Sequence, residues 1–588
     1  MSTESTNLHK PKRVCIIGAG VSGLPAIKSC LEEGLEPVCY EKTGDIGGLW
    51  NYREELEECG TVMRSTIVNT SKEIMAYSDF PPPADWPNFM HNTLVMRYLR
   101  LYADHYDLRR HVRFHTQVQQ VSKAADFDTT GRWVVTLTDG SSDAFDAVFL
   151  CTGHHAEAYQ PQFQGLDTFP GLVLHAQQYR KPTGLEGKRV LVVGIGNSAL
   201  DVAVELGDVA QQVYLSTRSG AWVWNRVGAY GLPFDVHFLT RHTEFTAKIF
   251  PQKYVNDYLE HHVNYRFDHE VYGLKPKYNF RAQHPAVNDG LPNAICSGRI
   301  IIKDNVERFD GSAVKFSDGT SVADVDVVIL ATGYSFGFPF LEPQSLIHIR
   351  DNEVSLYKYV FPPDMPLGTL AVIGLVQPIG SLAPMSELQS RWAAAIVAGR
   401  QRPLPSRAEM ERDIESKKRD MASRYYKSRR HTLQVDFLTY CDELAEQIGC
   451  RPNLSSTMFT DPKLWFCLYK GPNVPYVYRL HGPNSWSGAR PAVLGAMERV
   501  QRPLRTRRVP MDALKRAGQF GAVGVFLGRT SLWLLAACLF AAGYLLLASP
   551  WGLAGASAAF PLVVTGYLLL LGYLLLWVDL HFDLPTLF

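Results

Sequence analysis

Ten cysteines are spread through the 588 residues, at positions 15, 30, 39, 59, 151, 296, 441, 450, 467 and 538, and no two form a C-x-x-C pair. That spacing offers neither a zinc cluster nor a disulfide framework, and it fits a reducing compartment. H-E-x-x-H is missing too, since His269-Glu270 lacks a second histidine. His154 and His155 are adjacent and are expected to point opposite ways on a strand end, so no metal is predicted. A charge bias is absent: 59 Lys+Arg against 58 Asp+Glu leaves +1, which argues against a nucleic-acid partner. Met1 to Arg13 holds no apolar core, so no secretory signal peptide is expected. From Thr530 to Val578 there is no charged residue at all. The composition, 46% hydrophobic and 20% charged, suits a folded globular enzyme with two or three cores.

Two βαβ units stand out. Val14-Cys15-Ile16-Ile17 reads as a buried parallel strand, followed by a helix from about Ser22 and a strand over Pro37 to Glu41. Arg189 to Val193, a helix over Ser198 to Leu206 and a strand over Gln212 to Ser216 repeat the unit about 176 residues later. The apolar runs Asp146 to Gly153 and Asp326 to Gly333 mark where the chain is expected to cross between two nucleotide-binding domains.

The first loop is Gly18-Ala19-Gly20-Val21-Ser22-Gly23. Its glycines permit a tight turn, close approach of a pyrophosphate and packing of the helix on its strand. Glu41 follows 23 residues after Gly18, where a carboxylate accepts ribose hydroxyls and repels a 2′-phosphate, so FAD or NAD fits. The second loop is Gly194-Ile195-Gly196-Asn197-Ser198-Ala199, and its strand end carries Thr217 and Arg218. A hydroxyl and a cation there suit a 2′-phosphate, hence NADP. Two dinucleotides on one chain imply hydride transfer from NADPH to a flavin. With no C-x-x-C pair near the first unit, the electron acceptor is oxygen, a quinone or another small molecule.

Phe169-Pro170-Gly171-Leu172-Val173-Leu174-His175-Ala176-Gln177-Gln178-Tyr179 resembles the F-x-G-x-x-x-H-x-x-x-Y pattern that identifies flavin-containing monooxygenases. Gly44-Asp45-Ile46-Gly47-Gly48-Leu49-Trp50, Asn69-Thr70-Ser71-Lys72-Glu73 and Ala331-Thr332-Gly333-Tyr334 are similar to further motifs of that family, over roughly residues 12 to 510. Gln283-His284-Pro285 and Asn288-Asp289 make the chain most similar to the vertebrate microsomal members, the type-five branch in particular. The resemblance implies an α/β fold with two Rossmann-like domains, FAD and NADPH as cofactors, and oxygen transfer from a flavin C4a-hydroperoxide to a soft nitrogen or sulfur nucleophile. It implies that Asn69 lies at the reacting centre, that Gly48, Leu49, Trp50 and Thr70 contact the flavin region, and that Ser198 and Asp201 line the nicotinamide path. Gln283 and His284 are the candidate substrate residues. Trp50 also reads as core packing, and His175 with Tyr179 as braces of the interdomain linker.

The chain departs from the family at Ala199-Leu200, where two glycines are usual, and at Ser219, where a second arginine is common. The latter bears on the preference for NADPH over NADH. Domains are expected over 1–160 (FAD, first part), 161–330 (NADP, with an insertion), 331–445 (FAD, return part) and 446–525 (helical, membrane-proximal). Thr530 to Ala548 and Phe560 to Val578 each approach the ~20 residues of a bilayer span, so residues 530–578 are expected to be an anchor of one or two helices. Eight basic residues from Arg499 to Arg529 are expected to put the body in the cytosol, and the resemblance to microsomal members implies the endoplasmic reticulum membrane. The expected partners are therefore a small lipophilic nitrogen, sulfur or carbonyl compound, O2 and membrane lipid, with a homo-oligomer left open. Baeyer–Villiger conversion of ketones to esters and an uncoupled NADPH oxidase releasing hydrogen peroxide are the alternative activities.

Overall fold

The computed structural model describes residues 10–507, apart from 56–59, 366, 427, 429 and 430. Residues 1–500 cluster as one unit and 501–588 as another. In the second, only 501–507 are described, including a single helical turn Arg502–Leu504. The expected anchor at 530–578 lies outside the described residues, and among those described no helix is long and apolar enough to cross a membrane.

The chain enters the first unit as β1 (Arg13–Ile17), whose Val14, Cys15 and Ile16 are fully buried because both faces of the strand are covered. Helix α1 (Gly23–Glu32) and β2 (Glu36–Tyr40) follow, close to the expected positions. β3 (Val112–Arg113) and β4 (Ala147–Leu150) come next. The chain then builds β5 (Leu172–His175), β6 (Arg189–Val193), α2 (Asn197–Leu206) and β7 (Gln212–Ser216).

A long excursion leaves β7. It holds β8 (Val223–Trp224), α3 (Phe234–Phe238), α4 (Arg241–Ile249), α5 (Gln252–Asn264) and β9 (Ala286–Val287). β8 and β9 pair in parallel, Val223 with Ala286 and Trp224 with Val287. Trp222, Trp224, Val263 and Phe280 give this excursion a small apolar core of its own. After it come β10 (Ile300–Lys303), β11 (Val327–Leu330), β12 (Leu370–Val372) and α6 (Leu382–Val397), the last buried along almost its whole length.

Two five-stranded sheets result, ordered β12-β4-β1-β2-β3 and β10-β7-β6-β11-β5. Their pairings are parallel throughout. In each sheet the chain runs to one side of the central strand and later returns on the other. The switch points lie between β1 and β4 and between β6 and β11, and parallel sheets bind ligands at such crevices beyond the strand ends. The two crossovers touch each other: Tyr334 and Ser335 pair antiparallel with Ala158 and Glu157.

Candidate active site

Both glycine loops sit at these switch points, and the packing explains their glycines. Gly18 has φ +99°, and a Cβ there would lie 2.8 Å from the Cys151 carbonyl oxygen, just beyond β4. At the matching position Gly194 has φ +126°, with the Ala331 carbonyl oxygen 2.3 Å from any Cβ. In both cases the neighbouring strand across the switch point closes over the turn, and only glycine meets both the dihedral and the space.

The Glu41 side chain is buried at the end of β2 and braces the first loop. Its Oε2 accepts the Ala19 N–H at 2.8 Å, and its Oε1 accepts the Thr43 N–H and hydroxyl at 2.9 and 2.8 Å. Gly20 faces Gly48 so closely that a Cβ on Gly48 would come within 3.2 Å of the Gly20 Cα. Gly48, Leu49 and Trp50 form a single helical turn there; Leu49 is partly exposed, while Trp50 packs against the core. Ser22, which precedes α1, makes no capping bond with its side chain; the Gly23 and Leu24 N–H groups both go to the Gly20 carbonyl at 3.1 Å and Pro25 has none, so an anion here would be met by the N–H groups of the loop itself and by the helix dipole. Val21 gives its carbonyl to the Tyr77 hydroxyl at 2.8 Å, and Gly23 closes on the Gly18 carbonyl.

At the second loop Gly196 likewise precedes its helix without a side-chain cap. Asn197 Oδ1 accepts the Val287 N–H at 2.8 Å, and Asp201 Oδ1 accepts Asn288 Nδ2 at 2.9 Å, so β9 lies across the start of α2. Burial pushes the Asp201 carboxyl up to about 6, opposed by the Arg226 charge and the Asn288 bond. Ser198 is exposed. The Thr217 hydroxyl is turned inward, accepting the Gly220 N–H at 3.0 Å. Arg218 is exposed and has no ion-pair partner among the described residues.

Asn69 and Thr70 lie on the crossover between β2 and β3. Asn69 is half-buried, and its Oδ1 accepts from Arg226 Nη2 at 2.7 Å. An arginine only donates, so this contact fixes which way the amide points and leaves its NH2 to donate elsewhere. Arg226 is held in turn by Asp289, through its own N–H and through Nη1, both at 2.9 Å. Thr70 is buried beside it. Arg226 carries no motif and is 157 residues from Asn69, so sequence reasoning missed it.

Gln283 and His284 lie just ahead of β9. Gln283 is buried, and its Oε1 has no hydrogen-bond partner among the described residues. His284 Nδ1 meets Gln434 Oε1 at 3.0 Å, and Gln434 donates onward to Gln377 at 2.7 Å. The pair is linked to Asn69 through the stretch 283–289, whose Asp289 holds Arg226. The expectation for His154 and His155 is corrected. Their ring centroids are 4.3 Å apart, because β4 ends at Leu150 and the chain bends before them instead of continuing as a strand. Among the described residues, no group of three or more His, Cys, Asp or Glu is placed to hold a metal ion.

A family model described as flavin-binding monooxygenase-like matches residues 11–541. The chain belongs to this family. It is 50% identical over 504 residues to human flavin-containing monooxygenase 5, covering 85% of this chain and 94% of that one. It is 45% identical over 529 residues to rabbit dimethylaniline monooxygenase [N-oxide-forming] 2, covering 88% and 98%. Among solved structures, an S-allyl-L-cysteine S-oxygenase from Allium sativum matches with a TM-score of 0.57 and 24% identity, over 78% of this chain and 95% of that one, which speaks to the fold alone.

The protein is therefore an NADPH-dependent flavin monooxygenase, with FAD and NADPH as cofactors and a small molecule and O2 as reactants. The loops fit two dinucleotides by their geometry: an uncapped helix start after Gly196, the glycine-to-glycine cradle at Gly20 and Gly48, and a carboxylate at one strand end where the other has an arginine.

Proposed function

We propose that the protein transfers one oxygen atom from O2 to soft nitrogen or sulfur centres of small lipophilic molecules. Bound FAD supplies hydride acceptance from NADPH and the activation of O2. Residues 1–160 and 331–445 form the FAD-binding part in this reading, and residues 161–330 bind NADPH. The Gly18–Gly23 loop and the start of α1 hold the FAD pyrophosphate, and Glu41 receives its ribose hydroxyls. Gly48, Leu49, Trp50 and Thr70 border the flavin ring. Gly194, Gly196, Asn197, Ser198 and Asp201 hold the nicotinamide cofactor, while Arg218, with Thr217 at the strand end, receives the 2′-phosphate. Gln283 and His284 border the substrate.

The observation that carries this reading is the Asn69–Arg226 contact at 2.7 Å. It presents the Asn69 NH2 as an oriented donor where the crossover of the first sheet meets the excursion of the second. A soft nucleophile needs no protein nucleophile or acid–base dyad; it needs positioning, an oriented donor and exclusion of water. Heteroatom oxygenation is further supported by the N-oxide-forming relative at 45% identity.

We also propose that residues 530–578 anchor the protein in the endoplasmic reticulum membrane with residues 446–525 beside it. Phe245, Ile249, Phe250, Tyr254 and Tyr258 are exposed on and between α4 and α5, and such an apolar patch suits contact with lipid.

The test is product analysis with FAD-loaded protein, NADPH and O2 acting on a tertiary amine, a thioether and an aliphatic ketone, with peroxide assayed in parallel. Amine oxide or sulfoxide is expected. Ester alone would move the protein to Baeyer–Villiger chemistry, and peroxide equal to NADPH consumed would leave an oxidase.

A further inference from the structure

A second contact reaches the Asn69 crossover from the excursion. Asp235, on α3, is completely buried, and its Oδ2 accepts the backbone N–H of Ser71 at 2.6 Å. Ser71 is two residues beyond Asn69 and is itself fully buried. On its other side this segment is tied to the 88–90 backbone: Val68 N–H donates to the Met90 carbonyl at 3.0 Å, and Lys72 N–H to the Asn88 carbonyl at 2.8 Å. Those bonds hold residues 68 and 72 at the two ends of the turn. Between them, Asn69 is held by Arg226 and Ser71 by Asp235, both from the excursion that follows β7.

A buried carboxylate with one short bond to a main-chain N–H is costly, because burial disfavours its charge. The apolar contacts that pin α3, Leu232 and Val236 against Met497 and Val500, would serve equally well without a carboxylate. The carboxylate is therefore explained by the N–H it receives.

We propose that Asp235 is a positioning residue for Asn69: its hold on the Ser71 N–H sets the turn that aims the Asn69 amide. This rests on the reading of Asn69 as the oriented donor. Asp235 touches neither cofactor nor substrate and acts through the backbone of residues 69–71. The excursion thus aims a residue belonging to the first sheet's crossover, so the nicotinamide-binding half of the chain sets the geometry of the flavin half.

The experiment uses full-length, FAD-loaded enzyme and the variants Asp235→Leu, Asp235→Asn, Ser71→Pro and Asn69→Ala. Leucine resembles aspartate in shape but accepts no hydrogen bond. Asparagine keeps an acceptor. Proline removes the Ser71 N–H, and the Ser71 φ of −65° already suits it. For each variant the peroxide released per NADPH, the product formed, the NADPH KM, the melting temperature and the visible circular dichroism of bound flavin are measured.

Asp235→Leu and Ser71→Pro should each raise the peroxide share and lower kcat about tenfold, the weight of one buried hydrogen bond, with the NADPH KM little changed. Both should alter the flavin dichroism in the same way. Asp235→Asn should restore coupling, and the Asp235→Leu/Ser71→Pro double variant should be no worse than either single one. Loss of melting temperature with unchanged coupling and dichroism per folded molecule would make Asp235 purely structural and overturn the proposal. If Ser71→Pro fails to fold, the contrast between leucine and asparagine at 235 decides alone. Should Asn69→Ala leave coupling intact, the reading of Asn69 fails instead, and the two failures are told apart.

Discussion

Arg226→Lys preserves charge and removes geometry. The guanidinium spans two acceptors at once, Asp289 Oδ2 at 2.9 Å and Asn69 Oδ1 at 2.7 Å. A lysine ammonium is a single point on a flexible stem and cannot reproduce that fork. The two halves weigh differently. The Asp289 side chain is 38% exposed against 10% for Arg226, so solvent screens that pair and its loss costs little. The Asn69 half is a charge-assisted bond on a half-buried amide, worth about 2 kcal/mol. If the amide orientation matters chiefly in the transition state, that cost appears in kcat as a fall of roughly 30-fold with KM barely moved. Steady-state oxidation of a thioether, with NADPH, sulfoxide and peroxide all quantified, reads this directly. Freed to rotate, the amide should also let more NADPH end as peroxide. Turnover and sulfoxide yield per NADPH within about twofold of the parent enzyme would show that the Asn69–Arg226 contact has no part in the chemistry.

Arg218→Ala should raise the KM for NADPH about tenfold or more and leave that for NADH unchanged, since only the former carries the 2′-phosphate; equal changes for both would remove Arg218 from phosphate binding. Asp201 should leave a pH signature in stability. Its carboxyl titrates near 6 when folded and near 3.8 when unfolded, so between those values the folded chain holds a proton the unfolded chain has lost, and stability falls as pH rises across the window. Asp201→Asn should therefore gain on the parent from pH 4 to 6, by up to about 3 kcal/mol in urea unfolding, and hold that gain above pH 6; a constant or shrinking gap would contradict the burial argument. Arg479→Met should destabilise by about 3–5 kcal/mol, because it strips the counter-charge from the buried Glu387, 3.0 Å from a guanidinium that is 1% exposed, and leaves Glu32 to Lys28 alone. Urea unfolding reads this as well, and a loss under about 1 kcal/mol would mean that those carboxylates take up protons instead.

The parts legible in the sequence are those whose cause is local. Gly18, Glu41 and the strands they join lie within thirty residues, and the same spacing recurs from Gly194 to Thr217, next to Arg218, so both loops can be placed from pattern alone. Locality also limits what could be read. That Gly18 and Gly194 are closed over by the carbonyls of Cys151 and Ala331 depends on strands far along the chain. The inward hydroxyl of Thr217 depends on a turn at Gly220, and the contact of the tilted His154 and His155 rings depends on β4 ending at Leu150.

The contacts around Asn69 were invisible for a related reason. Arg226 and Asp235 lie in a stretch with no repeating pattern, where an arginine or an aspartate reads as an ordinary surface charge. Their significance comes from being buried against residues 67–71, more than 150 positions earlier. In the sequence Asn288 and Asp289 stand out only as features of resemblance, yet one holds Asp201 at the start of α2, and the other holds the arginine that holds Asn69. A dinucleotide-binding sheet needs no such excursion to bind its cofactor. An enzyme that must bring two cofactors to one reacting centre does need something to tie the two halves together, and Arg226 and Asp235 make those ties with side chains rather than with a shared sheet.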